Sequence, residues 1–422
     1  MERVIIHPAP LSGCITPPPS KSVAHRTIIC AALAHGKSVV YPFEPSEDIS
    51  ATIAGMRTFG ASIIIDENKL YIDGTNTFSV KSGEIDCGES GSTLRFLIPL
   101  AAVVAGDFTF TGHGRLPKRP IGPYLECLPK AGVICKNDGG LPLKMTGELK
   151  AGVFALPGNI SSQFITGLLL ALPLLYDDSH ILLTTPLESK GYIALTLETM
   201  NEFGVDITET SDGYLIRGGQ QYLPCDVNVE SDWSQAAFWL AAGCLGGPVA
   251  CRGLRLSSLQ GDMAISTLLE AFGGDIDLTG TFVTARTSEL FGNEIDASQI
   301  PDLVPILAAT ACFASGRTII KNAARLRIKE SDRLHAITIG LRSLGAHITE
   351  LDDGIVIDGA VLQGGEAEGF NDHRIVMALS IAAAFCKRDV SINGCDCINK
   401  SYPEFFNDFR KLGGKADVIN MG

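Results

Sequence analysis

The chain has 422 residues, of which 45% are apolar and 19% are charged. A single hydrophobic core usually stops growing at ~250 to 300 residues, so this length predicts at least two domains, and the apolar content excludes long disordered stretches. The formal net charge of -13 argues against a nucleic-acid-binding protein, because such a protein needs a basic face for backbone phosphates.

Cysteine usage and the start of the chain favour a cytoplasmic protein. The twelve cysteines are scattered, mostly beside apolar residues, and the N-terminal residues have no signal-peptide character. The one close pair, Cys395 and Cys397, lacks a second pair or a nearby histidine, so we predict no metal site. The longest apolar stretch, 167–175, is shorter than the ~20 residues that cross a bilayer, and we expect no membrane span.

One pattern recurs along the chain: the end of an amphipathic helix, then a glycine, then two short strands with a polar turn. Each glycine suits the left-handed residue that ends a helix, and segments 61–74 and 205–218 are typical of hairpins. An α/β protein that merely places glycines after helices is the alternative. The glycines are spaced by 72, 72, 69, 72 and 68 residues, and they are Gly60, Gly132, Gly204, Gly273, Gly345 and Gly413.

This regularity predicts an α/β (α+β) fold of six helix-plus-sheet units. The period is too long for the common solenoid repeats, so we expect units that share cores rather than an open array. Three units on each side of a midpoint near residue 230 would form two domains. A cleft between such domains is the usual place for a ligand.

The first motif, PPPSKSVAHR, places hydroxyls and two cations at the start of a predicted helix. Lys21, Ser22 and Arg26 lie on its first turns, where free backbone N–H groups also favour an anion. A serine N-cap explains Ser20 or Ser22 equally well, but it does not require two cations there. The motif therefore predicts a site for a phosphate or a carboxylate.

Two later segments of the first half combine glycine or proline with cations. CGESGSTLRF carries Gly91, which lets a ligand approach the backbone closely, and Arg95 lies one turn further on. GRLPKRPIGP places Arg119 beside two other cations in an otherwise acidic chain, and a solvated loop is the alternative interpretation. Each segment is a weak signal when taken alone.

Hydroxyl groups recur at two further helix starts. Ser161, Ser162 and Gln163 begin one predicted helix, and Ser189 stands before Lys190 in SKGY. Capping accounts for one of the adjacent serines and leaves the second without a role, which favours a phosphate site.

Charged residues of the second half also gather near helix starts. Asp302 precedes an apolar helix, where it could cap the helix or act as a base. The mixed run RLRIKESDRL is often explained by surface salt bridges, so it points only weakly to function. With NDHR and INKSYP, the second half contributes the candidates Arg325, Lys329, Glu330, Arg333, Arg374 and Lys400.

Taken in order, these motifs resemble the enolpyruvyl transferase family, and within it the branch that acts on shikimate 3-phosphate. The resemblance extends over residues 20–406 and includes SKSxxxR, SGSTxR, KRPIGP, SSQF, SKGY, PD, RxKESDR, NDHR and KSYPxF. It implies two domains of three repeated units, an inverse barrel, that would close on substrate. It assigns 20–229 with 400–422 to the first domain and 1–19 with 230–399 to the second.

The resemblance also implies a reaction, the transfer of an enolpyruvyl group from phosphoenolpyruvate to the 5-hydroxyl of shikimate 3-phosphate, without cofactor or metal. Such chemistry needs a base for the hydroxyl and an acid for C3 of the enol. The matching positions are Asp302 as the base and Glu330 at C3, with Lys21 assisting proton transfer. We expect a monomer with small-molecule substrates and neither nucleic acid nor membrane as a partner.

The resemblance further implies which residues hold each substrate. The positions matching the shikimate 3-phosphate site are Lys21, Ser22, Arg26, Ser161, Ser162, Gln163, Ser189, Asp302, Arg325 and Lys329. The positions matching the phosphoenolpyruvate site are Lys21, Gly91, Arg119, Gln163, Arg333, Arg374 and Lys400.

Glu89 and Arg325 depart from the best-known bacterial branch, which has asparagine at both positions. A carboxylate beside an anionic substrate is unfavourable unless a cation pairs with it, so we predict that a Lys or Arg neutralises Glu89. The response to phosphonates that mimic phosphoenolpyruvate stays open because of these two changes.

Two alternative functions compete with this interpretation. A sister branch uses UDP-N-acetylglucosamine and generally carries a cysteine or aspartate on a loop of the first domain. The GRLPKRP loop has neither, and the chain has no cysteine between Cys87 and Cys127. A homologue that only binds phosphorylated metabolites would have lost an acid or a base, yet Lys21, Asp302 and Glu330 are all present.

Overall fold

The computed structural model describes residues 2–280 and 282–420. The chain divides into two compact units, and the division falls at the predicted midpoint. Pro19–Val229 form the continuous unit, and Met1–Pro18 together with Glu230–Gly422 form the discontinuous unit. Each unit has its own hydrophobic core of buried side chains.

Six four-stranded sheets share one topology, with three sheets in each unit. In every sheet one edge strand runs parallel to its neighbour, that neighbour pairs antiparallel with a third strand, and the third strand pairs antiparallel with the fourth. The N-terminal strands β1 (Glu2–His7) and β2 (Gly13–Ile15) belong to two sheets of the discontinuous unit.

The continuous unit contains three repeats of two helices and one sheet. Its first sheet is completed by β14, which pairs with β3 from the far end of the unit. The elements are α1 (Lys21–Leu33), β3 (Lys37–Tyr41), α2 (Glu47–Thr58), β4 (Ser62–Asp66), β5 (Lys69–Asp73), β6 (Ser82–Asp86), α3 (Gly91–Val103), β7 (Asp107–Thr111), α4 (Gly122–Cys127), β8 (Val133–Lys136), β9 (Leu143–Gly147), β10 (Val153–Leu156), α5 (Ser162–Ala171), β11 (Ser179–Leu183), α6 (Lys190–Glu202), β12 (Ile207–Glu209), β13 (Gly213–Ile216) and β14 (Val227–Asn228).

The discontinuous unit repeats the same arrangement three times. Two of its sheets are completed from the N-terminus, because β2 pairs with β15 and β1 pairs with both β23 and β24. The elements are α7 (Trp233–Gly246), β15 (Val249–Arg252), α8 (Ile265–Ala271), β16 (Asp275–Asp277), β17 (Phe282–Arg286), β18 (Glu294–Asp296), α9 (Val304–Ala311), β19 (Arg317–Lys321), α10 (Arg333–Ser343), β20 (His347–Leu351), β21 (Gly354–Asp358), β22 (Gly365–Glu368), α11 (His373–Ala383), β23 (Val390–Asn393), α12 (Phe405–Lys411) and β24 (Lys415–Asn420).

Within each unit the helices are central and the sheets lie outside them. Helices such as α3 and α11 are buried along nearly their whole length, whereas the strands alternate buried and exposed residues. A strand that packs on helices with one face and meets solvent with the other shows this alternation. No helix in the described parts of the chain is long and apolar enough to span a membrane.

The six glycines from which the repeats were predicted all adopt the left-handed conformation, with φ between 79° and 108°. The residue after each glycine donates its N–H to a carbonyl in the last turn of the helix, as Ala61 does to Met56 at 3.1 Å and Ala346 does to Leu341 at 3.0 Å. These bonds satisfy carbonyls that the helix end leaves without partners. The sixfold repeat is therefore confirmed.

The C-terminal segment differs from its predicted assignment to the first domain. Residues 400–420 lie in the discontinuous unit, because β24 pairs along β1 from Glu2 with Asn420 to His7 with Lys415. The helix α12 packs on the same sheet, and its Phe405 stacks on Trp239 with ring centroids 4.9 Å apart. Strand pairing and core packing thus hold this segment to residues 2–18 and 230–399.

Candidate active site

The first helix of the continuous unit begins with the predicted anion-binding motif. Ser20 caps α1 by accepting a hydrogen bond from the backbone N–H of Val23 at 3.4 Å. The Nζ atom of Lys21 donates to Oδ2 of Asp48 on α2 at 2.6 Å. The N-cap alternative therefore explains Ser20, whereas Lys21 forms an ion pair that retains partial exposure.

Arg26 is buried where α1 packs on α6. Its Nε donates to Oγ1 of Thr196 at 2.7 Å, and Nη2 donates to the carbonyl of Tyr192 at 3.0 Å. Nη1 donates to the carbonyl of Ser22 at 2.6 Å, and the guanidinium lies over the ring of Phe96. Burial lowers the pKa of Arg26 to about 10, so the side chain stays charged near neutral pH. Arg26 thus joins α1 to α6 and adds positive charge beside Ser22.

The predicted serines of the continuous unit occupy helix starts. Ser161 caps α5 by accepting from the N–H of Gln163 at 3.4 Å, and Ser162 is the buried first residue of that helix. Capping therefore explains the first serine of the pair and not the second. Ser189 precedes α6 with a φ of 56°, in the left-handed region that is costly for a residue with a side chain. Strain of this kind clusters at functional sites.

Gly91 and Arg119 lie in direct contact. A Cβ atom on Gly91 would stand 2.8 Å from the Cζ, Nη1 and Nη2 atoms of Arg119, so the guanidinium rests against the glycine backbone. Arg119 is buried, whereas Arg115 and Lys118 of the same loop are exposed. The solvated-loop alternative applies to those two cations and not to Arg119.

Arg95 connects Gln163 to the loop that carries Arg119. Its Nη1 donates to Oε1 of Gln163 at 2.5 Å, and its Nη2 donates to the carbonyl of Pro120 at 3.0 Å. The amide of Gln163 in turn donates to Oγ of Ser92 at 2.9 Å. These bonds join the starts of α3 and α5 to the residue that follows Arg119.

In the discontinuous unit, Arg333 contacts three carboxylates at once. Its Nη1 donates to Asp302 at 2.8 Å, its Nη2 to Glu330 at 2.7 Å and its Nε to Asp372 at 2.8 Å. Burial works against the charged guanidinium, but Asp372, Glu330 and Asp302 raise the pKa of Arg333 above its ordinary value. Within the run RLRIKESDRL, Arg333 is therefore the buried centre of an ionic cluster, whereas Arg327 and Asp332 form a partly exposed pair.

Asp302 carries the most crowded carboxylate of this cluster. Its Oδ1 lies 2.8 Å from Nη1 of Arg333 and 3.5 Å from Nζ of Lys329, and its Oδ2 lies 3.2 Å from Nη2 of Arg374. Burial would raise the pKa of Asp302, but Arg374, Lys329 and Arg333 overcome it and hold the pKa well below its ordinary value. Leu303 is the cap residue of α9, so Asp302 is an ionised carboxylate among cations and not a helix cap.

The pKa of Lys329 is also lowered, which for a lysine disfavours the charged form. Burial lowers the pKa of the Lys329 ammonium, and the attraction of Asp302 only partly offsets that effect. An anionic substrate close to Lys329 would stabilise its charged form.

Arg374 belongs to a second network at the start of α11. Its Nη2 donates to Oγ of Ser234 at 2.9 Å, and Ser234 donates in turn to the carboxylate of Asp232. Asp372 caps α11 by accepting from the N–H of Arg374 at 3.0 Å, and it also accepts from Ser331 at 3.0 Å. The buried carboxylate of Asp372 thus holds the guanidinium of Arg333 and the backbone N–H of Arg374, while Ser234 and Asp302 hold the guanidinium of Arg374.

Arg325 and Lys400 lie at the edges of this cluster. The Nη2 atom of Arg325 donates to the carbonyl of Ser298 at 2.6 Å. The Nζ atom of Lys400 donates to the carbonyl of Asn371 at 2.8 Å, one residue before Asp372. The structure therefore brings the seven candidates of the discontinuous unit into one connected region.

Glu89 lies near the loop that carries Arg119. The Nδ1 atom of His113 lies 3.9 Å from Oε1 of Glu89. A Cβ atom on Gly114 would meet the Glu89 carboxylate at 2.2 Å, so this carboxylate packs against the loop backbone. Its neutralisation by a lysine or arginine stays a prediction.

Sequence reasoning missed the carboxylates and the serine that hold the predicted cations. They share one signal, a position at the start of a helix with a cation elsewhere in the chain to balance. They are Asp48, Asp232, Ser234 and Asp372.

The chain is similar to known proteins over nearly its whole length. The sequence matches the family model described as EPSP synthase (3-phosphoshikimate 1-carboxyvinyltransferase) over residues 5–409. A relative of that enzyme name from Clostridium acetobutylicum is 47% identical over 429 residues, covering 100% of both chains. Another from Clostridium perfringens is 48% identical over 419 residues, covering 98% of this chain and 99% of the relative.

Solved structures show the same architecture. An EPSP synthase from Acinetobacter baumannii superposes with a TM-score of 0.85 at 26% identity, covering 100% of both chains. The enolpyruvyl transferase NikO from Streptomyces tendae, at 18% identity, shares the fold with a TM-score of 0.80 and covers 100% of this chain and 99% of its own.

The repeated sheets therefore define the fold of the enolpyruvyl transferases, as the resemblance implied. Given the family match over most of the chain and full-length relatives above 40% identity, the chain belongs to the EPSP synthase family.

Proposed function

We propose that this chain transfers the enolpyruvyl group of phosphoenolpyruvate to the 5-hydroxyl of shikimate 3-phosphate and releases phosphate. Full-length relatives named 3-phosphoshikimate 1-carboxyvinyltransferase support this activity. The reaction belongs to the shikimate pathway, which leads to chorismate and the aromatic amino acids. We propose that the chain acts as a monomer in the cytoplasm.

One observation carries the proposal, the buried cluster in which Asp302 contacts three cations and shares Arg333 with Glu330. Two carboxylates in different surroundings suit a reaction that needs both a base and an acid. Cations that already hold carboxylates can also accept the anionic groups of two substrates.

We assign Asp302 the role of base toward the 5-hydroxyl. Its pKa lies well below the ordinary value because of Arg374, Lys329 and Arg333, so the carboxylate is ionised and able to accept a proton. Substrate anions that bind these cations would weaken their hold on Asp302 and make it more basic. The hydroxyl oxygen then bonds to C2 of phosphoenolpyruvate.

Glu330 is assigned to C3 of phosphoenolpyruvate, with Lys21 assisting proton transfer. As the bond to C2 forms, C3 gains a proton and a tetrahedral adduct results. The bond between C2 and the phosphate oxygen then breaks, C3 loses a proton and the double bond forms again. The same group can serve C3 in both directions, because it donates in the first step and accepts in the second.

The remaining candidates are assigned to substrate charge. The residues assigned to shikimate 3-phosphate are Ser22, Arg26, Ser161, Ser162, Gln163, Ser189, Arg325 and Lys329, together with Lys21 and Asp302. The residues assigned to phosphoenolpyruvate are Gly91, Arg119, Gln163, Arg333, Arg374 and Lys400, together with Lys21. Positioned cations hold the two anions in attack geometry and offset the charge of the leaving phosphate.

Release of inorganic phosphate tests this function. The purified chain is mixed with phosphoenolpyruvate and either shikimate 3-phosphate or UDP-N-acetylglucosamine. The proposal predicts release with shikimate 3-phosphate alone. Release with the nucleotide sugar alone would agree with the family but contradict the proposed acceptor. No release with either acceptor would favour a homologue that only binds phosphorylated metabolites.

A further inference from the structure

The segment 323–332, which carries Lys329 and Glu330, has little regular secondary structure. It runs from the end of β19 to the start of α10, with a single short 3-10 helix at Ala324–Ile328. Residues 329–332 lie outside helix and strand. Their placement therefore depends on side-chain contacts more than on regular backbone hydrogen bonds.

Arg327 supplies the densest set of such contacts. Its Nη1 donates to both oxygens of Asp332, at 3.2 and 2.9 Å, and to Oε1 of Glu350 at 2.7 Å. Its Nη2 donates to the carbonyl of Leu351 at 2.6 Å, and its Nε donates to the carbonyl of Asp352 at 2.9 Å. Only a planar guanidinium offers this many donors in fixed directions.

The partners of Arg327 belong to two rigid elements. Asp332 caps α10, while Glu350 and Leu351 end the strand β20 and Asp352 forms its hairpin turn. Ala323 at the beginning of the segment donates its N–H to the carbonyl of Asp353 in the same turn, at 2.7 Å. The segment is thus fastened to one hairpin before and within the 3-10 helix, and Lys329 follows two residues later.

We propose that Arg327 is a positioning residue that sets the places of Lys329 and Glu330 without touching substrate. The inference rests on the proposed function, because it concerns the residues assigned there to shikimate 3-phosphate and to C3 of phosphoenolpyruvate. Without the hydrogen bonds of Arg327 to Asp332 and to the hairpin of β20 and β21, the backbone of residues 329–332 would move and both side chains would be misplaced.

The effect should be selective, because Arg333 is held in another way. Its Nε donates to Asp372, whose side chain is fully buried at 0% exposure, and it stands on the regular backbone of α10. Arg374 likewise stands on α11 and bonds to Ser234. We therefore expect Arg333 and Arg374, which are assigned to phosphoenolpyruvate, to keep their positions when Arg327 is substituted.

The test compares steady-state kinetics of Arg327→Gln and Arg327→Lys with the parent. We expect Arg327→Gln to lower kcat at least tenfold and to raise KM for shikimate 3-phosphate at least fivefold, with KM for phosphoenolpyruvate changed less than twofold. Lysine keeps the charge but lacks the fork of donors, so Arg327→Lys should fall between glutamine and the parent. A uniform structural loss would not separate the two KM values.

The matched control is Arg317→Gln on β19. Arg317 also forms a two-point pair, with Nε and Nη2 donating to Asp358 at 2.8 and 3.1 Å, but both side chains are exposed. This control should leave kcat and both KM values unchanged. Glu350→Gln weakens the same set of contacts from the other side. The loss of kcat in the double variant should therefore be smaller than the combined losses of Glu350→Gln and Arg327→Gln.

Hydrogen exchange of segment 323–332 gives a readout that does not need turnover. The proposal predicts faster exchange there in Arg327→Gln than in the parent or in Arg317→Gln. Unchanged exchange, or equal rises of both KM values in a folded variant, would overturn it. If the parent itself shows no turnover, the proposed function fails, while exchange still decides whether Arg327 holds the segment.

Discussion

At the residue scale, the guanidinium of Arg333 holds the two carboxylates that are assigned to proton transfer. It contacts Asp302, Glu330 and Asp372 while its own side chain is 2% exposed. Removing one partner from such a buried group is destabilising, because it leaves a charge without compensation. A neutral side chain of the same shape is therefore the cleaner probe of any one of these carboxylates.

Glu330→Gln keeps the size of the side chain and an oxygen that can accept from Arg333. We expect kcat to fall by about 10²- to 10⁴-fold, the usual contribution of general acid–base catalysis, with little change in folding. The control is Glu294→Gln, which removes a carboxylate from an exposed pair with Lys321 in the same unit. Turnover of Glu330→Gln within a few-fold of the parent would make the C3 role wrong.

Gly91→Ala tests the contact with Arg119. The new methyl group would lie 2.8 Å from the guanidinium, which is the far end of a flexible side chain and can move away. We expect a higher KM for phosphoenolpyruvate in a folded protein, and a smaller change in KM for shikimate 3-phosphate. Gly122→Ala, where a Cβ atom would have no neighbour within 4 Å, should leave both values unchanged.

The sequence motifs predicted which cations belong to the candidate site, but they did not predict the carboxylates that hold those cations. Lys21, Arg333 and Arg374 stand in motifs with a helix start nearby, so their placement followed from local sequence. Asp48 pairs with Lys21 from 27 residues away, and Asp372 reaches Arg333 across 39 residues. Such pairings depend on how helices pack, which no local pattern in one sequence reveals.

At the scale of elements, the glycine that ends the second helix of each repeat has a cost that varies with its surroundings. Gly413 has a φ of 92° and space around it, since a Cβ atom would approach only the carbonyl of Pro10, at 3.9 Å. Gly60 has a φ of 108°, and a Cβ atom there would meet the carbonyl of Asn76 at 2.5 Å. Equivalent positions thus differ in steric freedom.

We expect Gly413→Ala to destabilise its unit by about 1 to 2 kcal/mol, the cost of a left-handed residue with a side chain. Gly60→Ala should cost more, because a clash adds to the backbone strain. Urea unfolding measures both, by circular dichroism for Gly60→Ala and by fluorescence for Gly413→Ala, since Trp233 and Trp239 both lie in the discontinuous unit. An equal or smaller loss for Gly60→Ala would contradict the steric argument.

His7 is predicted to make the stability of the sheet around β1 depend on pH. Its Nδ1 lies 2.9 Å from Asp389 and its Nε2 lies 3.2 Å from Asp417. Hydrogen bonds to Asp389 and then Asp417 raise the pKa of His7 above its ordinary value. The resulting stability is complete below the unfolded pKa, about 6.5, and is lost as pH rises through the higher folded pKa.

His7→Gln should remove this dependence. We expect the parent to lose a small part of its advantage over His7→Gln as pH rises from about 6 to 8, because the pair is exposed and screened. The measurement is the urea midpoint of tryptophan fluorescence at each pH for both proteins. A difference between them that stays constant or grows with pH would contradict the assigned sign.

The repeat could be predicted because each unit ends its second helix with the same local signal. The strands that complete three sheets could not, since β1, β2 and β14 pair with segments far away in the chain. Strand β14 has only two residues, which is too short for a period to appear. The assignment of the C-terminal segment to the first domain has another origin, since it is what the resemblance implies, and the pairing of β24 with β1 places that segment in the discontinuous unit instead.

At the scale of the whole molecule, two units with separate cores each contribute part of the proposed chemistry. Lys21, Gly91 and Arg119 belong to the continuous unit, while Asp302 and Glu330 belong to the discontinuous unit. Sequence could predict this division because the repeats fall three on each side of residue 230. The proposed function therefore requires residues from both units.

Enolpyruvyl transfer by addition and elimination requires a proton that enters and leaves C3. The most direct measurement is a mass spectrum of the product formed from phosphoenolpyruvate and shikimate 3-phosphate in heavy water. We expect an acceptor heavier by one enolpyruvyl group, with deuterium in its terminal methylene. A product without deuterium at that carbon, or an acceptor carrying an added phosphate instead, would contradict it.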